Sequence, residues 1–517
     1  MSKRPTKLTY QQEIGGVVAH LRQERGLTQT ELAKLVGSSQ PAIYRIEKGA
    51  QNVSLDMIKK LSHALGSPIL SVNTSVSQSL FIEGGKELSG EITVNTSKNA
   101  AVGLLCASLL NSSKTTLKHL ARIEEVFRII EVLESIGVKC RWVNRKQDLE
   151  IIPPRELKIK NLDINAARKT RSIIMLLGPL LHKFHHFKLP YAGGCSLGVR
   201  TVEPHLRALR AFGLEVDARK ESGFYNAIIK QTSIESAKRI VLIERGDTVT
   251  ENVLMAAALY PGKTTIVGAS PNYMVQDVCF FLQSLGVKIE GVGTTTLTVT
   301  GKSKISKSIE YSPSEDPIEA MSFIAVALTT HSEITIRRAP IEFLEVELEI
   351  LKSMNADIRL SKEYLASNGR TRLVDLDIKK TDLVAPTDKI HPMPFPGLNI
   401  DNLPFFSVIA ASARGRTLIH DWVFENRAVY TTDLTKLNAK VELLDAHRVY
   451  VEGPTNWRPA ELVSPPALRP AVVLLIAMLA APGASILRNT YSIDRGYQDF
   501  AARLRQLGAD IAPLTGI

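Results

Sequence analysis

The chain has 517 residues, of which 44% are hydrophobic and 22% charged, so it is long enough for more than one globular domain with a buried core. Its formal net charge of +12 favours anionic partners, either nucleic acid or phosphorylated substrates. The four cysteines are widely spaced, which argues against a zinc site or a disulfide framework and predicts a cytoplasmic protein. The amino-terminal residues lack the apolar run of a signal peptide, and no membrane partner is expected. The most apolar stretch, 471–482, is too short to span a bilayer and predicts a buried helix.

Residues 1–70 are predicted to form a small all-helical domain. The segment TQTELAKLVG begins with Thr28, which can cap a helix, and Glu31 completes a capping box three residues later. The next segment, SSQPAIYRIEKG, begins with Ser39 as a second possible cap. A further helix is predicted over residues 55–65, where apolar residues recur on one face.

These segments resemble the Xre/Cro type of helix-turn-helix domain over residues 13–68. The resemblance is carried by Gln29, Glu31, Leu32, Ala33, Gln40, Ile43, Ile46, Glu47 and Gly49. It implies that the second helix of the pair enters the major groove of double-stranded DNA. The residues that would then face DNA are Gln29, Ser39, Gln40, Tyr44 and Arg45. An alternative is a helical protein-interaction module that does not contact DNA.

Residues 71–80 are polar and rich in serine, which predicts a linker.

Beyond this linker, one sequence pattern recurs six times. In each copy, an apolar segment predicted to be a helix ends at Gly or Asn and is followed by a predicted strand. The turn residues are Gly137, Gly213, Gly286, Asn355, Asn438 and Gly508. Glycine and asparagine accept the left-handed backbone that ends a helix. The regular spacing therefore predicts six α/β units in two compact domains, although ordinary helix–strand alternation is the alternative.

Several motifs in this large part carry residue types suited to anionic substrates. The segment NTSKNAAV contains Lys98 and Asn99, and a lysine ammonium suits phosphate or carboxylate. The segment YAGGCSLGVR places Cys195 among glycines, where nearby cations would make a thiol reactive, although a lone cysteine can also be a packing residue. Arginines recur in the segments RKTRS, VFENR, PALRP and IDRGY. Their planar guanidinium groups suit phosphate and carboxylate, although any one of them can be an ordinary surface residue.

Together these motifs resemble the signatures of the enolpyruvyl transferase family. The cysteine loop points to the branch that acts on UDP-N-acetylglucosamine and away from the branch that acts on shikimate 3-phosphate. The resemblance implies an α/β (α+β) fold of two domains, built from six βαβαββ-like repeats as an inside-out α/β barrel. The chain would start in one domain, cross near Lys98 and return near Ser314. The expected domains are 81–97 with 315–517, and 98–314.

The resemblance also implies roles for individual residues. Cys195 would be the general acid that protonates the methylene carbon of phosphoenolpyruvate, Asp401 the base for the acceptor hydroxyl, and Lys98 a contact to phosphoenolpyruvate. No metal or cofactor is expected. The substrate-binding residues would be Asn99, Arg171, Arg200, Arg427, Arg469 and Arg495.

The implied reaction transfers the enolpyruvyl group of phosphoenolpyruvate to the 3-hydroxyl of UDP-N-acetylglucosamine with release of phosphate, the first committed step of peptidoglycan precursor synthesis. Departures from the family pattern keep the acceptor open. Ala467 stands where the family has aspartate, and the segments 200–205 and 245–252, which contact uridine in the family, are altered. One alternative is transfer to another nucleotide or nucleotide sugar. Another is a DNA-binding regulator that uses the transferase body as a ligand sensor.

Overall fold

The computed structural model describes residues 15, 18–19, 22, 27–51, 53–65, 79–191, 202–217, 223–230 and 237–514. The chain forms two compact units, Met1–Val76 and Ser77–Ile517. Two predicted site residues, Cys195 and Arg200, lie outside the described residues, as do positions 71–78 of the predicted linker.

The first unit contains the helices Gln29–Leu35, Gln40–Glu47 and Leu55–Leu65. The predicted capping box is confirmed, because the Thr28 hydroxyl accepts from the Glu31 N–H at 3.2 Å and the Glu31 carboxylate accepts from the Thr28 N–H at 2.7 Å. The core of this unit contains Val18, Leu32, Ala33, Val36, Ile43, Ile46, Ile58, Leu61 and Leu65.

Capping of the second helix by the Ser39 side chain is a wrong prediction. Ser39 does precede the helix with an extended backbone, but its hydroxyl accepts no capping hydrogen bond within the described residues. A capping side chain bonds to the second or third N–H of a helix, and Pro41 at the second position has no N–H. The third N–H, of Ala42, donates instead to the Ser39 carbonyl oxygen at 3.0 Å.

The second unit contains six sheets in its described residues. Three of them take their strands from 79–93 and 333–514, and three from 115–311. The first group consists of Glu461–Val463, Gly483–Arg488, Ser79–Gly84 and Asp510–Leu514; Asp357–Leu360, Arg372–Lys379, Glu333–Pro340 and Ser89–Thr93, with Tyr364–Leu365 beside Arg372–Lys379; and Gly415–His420, Arg448–Gly453 and Lys440–Leu443. The second group consists of Ile309–Tyr311, Thr115–Leu117, Asp148–Ile152 and Lys139–Val143; His186–Pro190, Phe224–Ile229 and Leu214–Asp217; and Lys288–Glu290, Thr296–Thr300, Lys263–Val267 and Ala237–Val241.

Helices cover these sheets and complete the α/β (α+β) fold that the sequence predicts. The α-helices are Lys98–Ser108, Glu124–Ser135, Ile164–Arg168, Leu177–Leu180, Glu203–Leu209, Asp247–Ala258, Tyr273–Ser284, Pro317–Thr329, Glu345–Ser353, Phe405–Ser412, Leu468–Ala480, Tyr491–Asp494 and Phe500–Gln506. Short 3-10 helices span Ile159–Asn161, Arg171–Leu176, Arg210–Phe212, Ile341–Phe343 and Ala428–Leu437. The predicted buried helix over the most apolar stretch is confirmed as part of Leu468–Ala480. Across the described residues, every helix is too short or too polar to cross a membrane.

All six predicted helix-to-strand turns are confirmed. The turn residues have positive φ, for example 94° at Gly508 and 75° at Asn438, and a strand begins one or two residues after each of them. Most side chains with a Cβ rarely adopt this backbone, so glycine or asparagine is favoured there.

The predicted linker of 71–80 extends two residues too far. Ser79 and Leu80 already belong to the strand Ser79–Gly84, in which Leu80 lies opposite Leu487 and Pro513. The serine-rich composition gave no sign that the strand begins at Ser79. The strand forms there because it pairs with a neighbouring strand on each side, and this pairing does not depend on the polarity of its first residue.

The two crossings of the chain between the groups of sheets lie side by side. The Ser97 N–H donates to the Ser314 carbonyl at 2.8 Å, and the Asp316 N–H donates to the Asn95 carbonyl at 2.9 Å. The helices Lys98–Ser108 and Pro317–Thr329 both begin here, so their amino-terminal ends meet at one place. The division into two domains at these crossings stays a prediction.

Candidate active site

Asp401 lies between two buried arginines. Its Oδ1 is 3.8 Å from a nitrogen of Arg427, and its Oδ2 is 3.7 Å from a nitrogen of Arg469. The Asp401 side chain is 31% exposed, whereas those of Arg427 and Arg469 are almost fully buried. The two arginines are therefore buried beneath the Asp401 carboxylate, which solvent or a substrate can reach.

Arg427 is fixed on all sides by its own neighbours. Its Nε donates to the Asp421 carboxylate, another nitrogen donates to the Ile400 carbonyl at 2.7 Å, and the guanidinium lies 4.2 Å from the Phe424 ring centroid. A buried guanidinium requires such partners, because burial of an unpaired charge is costly. Asp421 was missed by the sequence reasoning, although it lies only six residues before Arg427.

Lys98 is the first residue of its helix, and its ammonium lies 2.7 Å from the Glu125 carboxylate. Burial would raise the pKa of Glu125, but the charge and hydrogen bond of Lys98, a hydrogen bond from Ser172 and the charge of Arg495 lower it to about 2. Glu125 was not predicted, and only its place in the first turn of the helix Glu124–Ser135 gave a signal.

Asn99 points to the hydroxyl of Tyr273, with 3.0 Å between its Nδ2 and that oxygen. Burial raises the pKa of Tyr273 well above its ordinary value, and the charges of Asp316 and Asp401 raise it further. Asn99 and Tyr273 therefore lie close to Asp401, although they come from the other group of sheets.

Asp316 connects the two halves of the site and was also missed. Its carboxylate accepts from the Lys98 N–H at 3.2 Å and from the Ile318 N–H at 2.8 Å. Burial raises the pKa of Asp316, while the charge of Arg469 lowers it. The sequence signal was the aspartate followed directly by Pro317, a pattern typical of a helix start.

Arg495 lies near Glu125, the partner of Lys98, whereas the charge of Arg171 acts on His205 and Tyr225. Arg171 begins the 3-10 helix Arg171–Leu176, where Thr170 caps the turn through its hydroxyl, and the charge of Arg171 lowers the pKa of His205 in addition to the larger effect of burial. Arg495 follows the short helix Tyr491–Asp494. The structure thus brings together Lys98, Asn99, Asp401, Arg427, Arg469 and Arg495 around the crossings.

Ala467, the position of the strongest departure from the family pattern, is fully buried at the start of the helix Leu468–Ala480. As the capping residue it has no side-chain oxygen to accept a hydrogen bond from the helix. Asp247, in the altered segment 245–252, is bonded to Ser270, and its pKa is raised by burial and also by the charge of Asp401. The altered segment therefore adds a carboxylate near Asp401. Among the described residues, no group of His, Cys, Asp and Glu side chains has the arrangement of a metal site.

Four of the five predicted DNA-facing residues are exposed on the first unit. Ser39, Gln40, Tyr44 and Arg45 are exposed, with Tyr44 49% exposed. The remaining predicted residue, Gln29, is half-buried. It accepts from the Gln40 amide at 2.7 Å and donates to Glu47 at 2.8 Å. These bonds fix the orientation of the Gln40 amide before any partner binds.

Solved structures share the fold of the second unit. The enolpyruvyl transferase NikO from Streptomyces tendae matches with a TM-score of 0.73 at 21% identity, covering 85% of this chain and 100% of that chain. The EPSP synthase from Acinetobacter baumannii matches with a TM-score of 0.65 at 19% identity, with the same two coverages.

Sequence comparisons define the family. Residues 82–504 match the family of EPSP synthase (3-phosphoshikimate 1-carboxyvinyltransferase), and residues 18–71 match the helix-turn-helix family. The UDP-N-acetylglucosamine 1-carboxyvinyltransferase of Campylobacter hominis is 31% identical over 440 residues, covering 84% of this chain and 98% of that protein. The UDP-N-acetylglucosamine 1-carboxyvinyltransferase 1 of Clostridium perfringens is 31% identical over 438 residues, covering 84% and 99%. The chain belongs to the enolpyruvyl transferase family.

Proposed function

We propose that this chain transfers the enolpyruvyl group of phosphoenolpyruvate to the 3-hydroxyl of UDP-N-acetylglucosamine and releases phosphate. The observation that carries the proposal is the accessible Asp401 carboxylate, which lies 3.8 Å from Arg427 and 3.7 Å from Arg469, two buried cations suited to an anionic substrate. The named function of relatives that align with almost their whole length to this chain supports it.

In the proposed reaction, cationic side chains hold the phosphate and carboxylate of phosphoenolpyruvate. These are Lys98, Arg427 and Arg495, together with Arg200, which lies outside the described residues. Asp401 takes the proton of the acceptor hydroxyl while that oxygen adds to C2 of phosphoenolpyruvate. Cys195 delivers a proton to C3, and the tetrahedral intermediate then loses phosphate from C2 and a proton from C3, which restores the carbon–carbon double bond. Fixed guanidinium groups stabilise the charge that develops, because their partners already hold them in place.

Replacing Cys195 by alanine is expected to abolish turnover, because the variant has no thiol to protonate C3. The measurement is phosphate release from phosphoenolpyruvate with UDP-N-acetylglucosamine, with the mass of the product checked. Cys140 is a thiol on the strand Lys139–Val143, and its change to alanine is the matched control with full turnover expected. Retained turnover in the Cys195 variant would mean that another group is the acid. If the unaltered chain released no phosphate with UDP-N-acetylglucosamine but did so with another nucleotide or nucleotide sugar, the acceptor assignment would change.

We further propose that the first unit binds double-stranded DNA through the exposed face around Gln40. The match of residues 18–71 to the helix-turn-helix family and the pre-oriented Gln40 amide favour this second function. A glutamine amide can form two hydrogen bonds with an adenine edge, and Arg45 can contact phosphate or guanine.

Changing Gln40 to alanine is expected to weaken binding to a selected duplex by about tenfold, since one good base contact is worth about 1–3 kcal/mol. Fluorescence anisotropy with a duplex selected from a random-sequence library measures this effect. The exposed Lys34, on the preceding helix and outside the predicted face, gives the control variant Lys34→Ala. Phosphate release should stay at the level of the unaltered chain in both variants. Failure of the full chain to select any duplex would leave the first unit as a protein-interaction module.

A further inference from the structure

We propose that Glu125 is an internal counter-anion of the phosphoenolpyruvate site, which pairs with the Lys98 ammonium and competes for it with the anionic groups of the substrate. This inference rests on the proposed function, because it requires that Lys98 binds phosphoenolpyruvate.

Both oxygens of the Glu125 carboxylate are engaged. Oε2 lies 2.7 Å from the Lys98 ammonium, while Oε1 accepts from the Ser172 hydroxyl at 2.8 Å and from the Thr170 hydroxyl at 3.2 Å. The Glu125 side chain is 12% exposed and that of Lys98 is 16% exposed. The pair is therefore largely shielded from water, where such an interaction is stronger than at the surface.

Two of the predicted cationic site residues act on this one carboxylate. Lys98 contacts it directly, while Thr170 and Ser172 donate hydrogen bonds to its other oxygen. The charge of Arg495 contributes to the low pKa of Glu125, which keeps the carboxylate ionised at neutral pH. Glu125 is thus the protein anion that balances the Lys98 ammonium, while Asp401 and Asp421 lie against Arg427.

A lysine ammonium that is already paired with a carboxylate attracts a second anion less strongly, because the two negative charges repel each other. Removal of the charge of Glu125, with its shape retained, should therefore strengthen binding of phosphoenolpyruvate. A purely structural role for Glu125 predicts a different result, since loss of a supporting residue would weaken the binding of phosphoenolpyruvate or leave it unchanged. The direction of the change in affinity decides between the two roles.

The test is calorimetric titration of the full chain with phosphoenolpyruvate, together with steady-state phosphate release. The change Glu125→Gln keeps an oxygen that can accept from Ser172, and it is expected to lower the Kd for phosphoenolpyruvate by about fivefold or more, without raising kcat. Glu125→Ala, which also removes the charge, should shift the Kd in the same direction. Glu125→Asp retains the charge and should stay within about twofold of the unaltered chain.

The neighbouring Glu124, which pairs with Arg128 on the same helix, provides the matched control Glu124→Gln, with an unchanged Kd expected. Thermal melting of each variant confirms that the fold is retained. Weaker or unchanged binding by folded Glu125→Gln and Glu125→Ala variants would overturn the counter-anion role. If the unaltered chain binds no phosphoenolpyruvate at all, the proposed function itself fails, which is a separate and distinguishable result.

Discussion

Replacement of Asp401 by asparagine is expected to lower kcat by a factor of about 10² to 10⁴, the usual contribution of a general base. The asparagine amide has nearly the same shape but cannot accept the proton of the acceptor hydroxyl. Arg427 keeps Asp421 and the Ile400 carbonyl as partners, so its position should change little. Phosphate release at saturating substrates, together with calorimetric binding of phosphoenolpyruvate, measures both parts of the expectation.

The exposed Asp388, on the chain segment leading to Asp401, provides the control Asp388→Asn, with kcat expected to stay near that of the unaltered chain. If the Asp401 variant retained its kcat, the base would have to be another carboxylate near the crossings, and Asp316 would be the next candidate. Lost binding of phosphoenolpyruvate with an unchanged kcat would instead give Asp401 a purely structural role in holding the arginines.

Replacement of Arg503 by methionine is expected to lower the free energy of unfolding by about 3–5 kcal/mol, since it leaves a buried carboxylate without its cation. Arg503 donates to the Glu319 carboxylate and to the Thr93 carbonyl. Glu319 also accepts from the Asn95 N–H at 2.6 Å, so one ion pair joins the first crossing to two helices. Denaturant unfolding followed by circular dichroism gives the free energy.

The loss should depend on pH in a defined direction. Burial raises the pKa of Glu319, and the charge of Arg503 opposes that rise, so removal of the cation raises the pKa further. A folded state that binds a proton more tightly than the unfolded state loses stability as pH rises. The loss in the variant should therefore be smallest in acid and should grow toward neutral pH.

Two further variants test this explanation. The double variant Arg503→Met with Glu319→Gln removes both charges and should recover part of the lost stability. The exposed Arg505 on the same helix gives the control Arg505→Met, expected to change stability by no more than about 0.5 kcal/mol. A loss of stability at Arg503 that does not change with pH would show that packing against Phe323, not the charge of Glu319, is responsible.

Features set by local backbone chemistry could be predicted from the sequence. The turn at Gly508 and the capping box of Thr28 and Glu31 depend on residues close together in the chain, and both are confirmed. The motif residues were also predictable, because the resemblance identified them one by one. The structure places Lys98 and Asp401 around the same pair of crossings.

The partners of these residues could not be predicted in the same way. Glu125 contacts Lys98 across 27 positions, and Glu319 contacts Arg503 across 184 positions. No local pattern specifies such a pairing, since it depends on which helices the fold brings together. The wrong cap at Ser39 has a different, local reason: Pro41, two residues later, lacks the N–H that such a cap would use.

The strand Ser79–Gly84 has a consequence for the order of folding during synthesis. It lies between Gly483–Arg488 and Asp510–Leu514, so its sheet cannot form until the ribosome has added more than 400 further residues. The helix-turn-helix unit has a core of its own and can fold while the rest is still being translated. A nascent chain thus carries a finished helix-turn-helix unit well before its transferase body exists, and Ser79–Gly84 must meanwhile stay unpaired without aggregating.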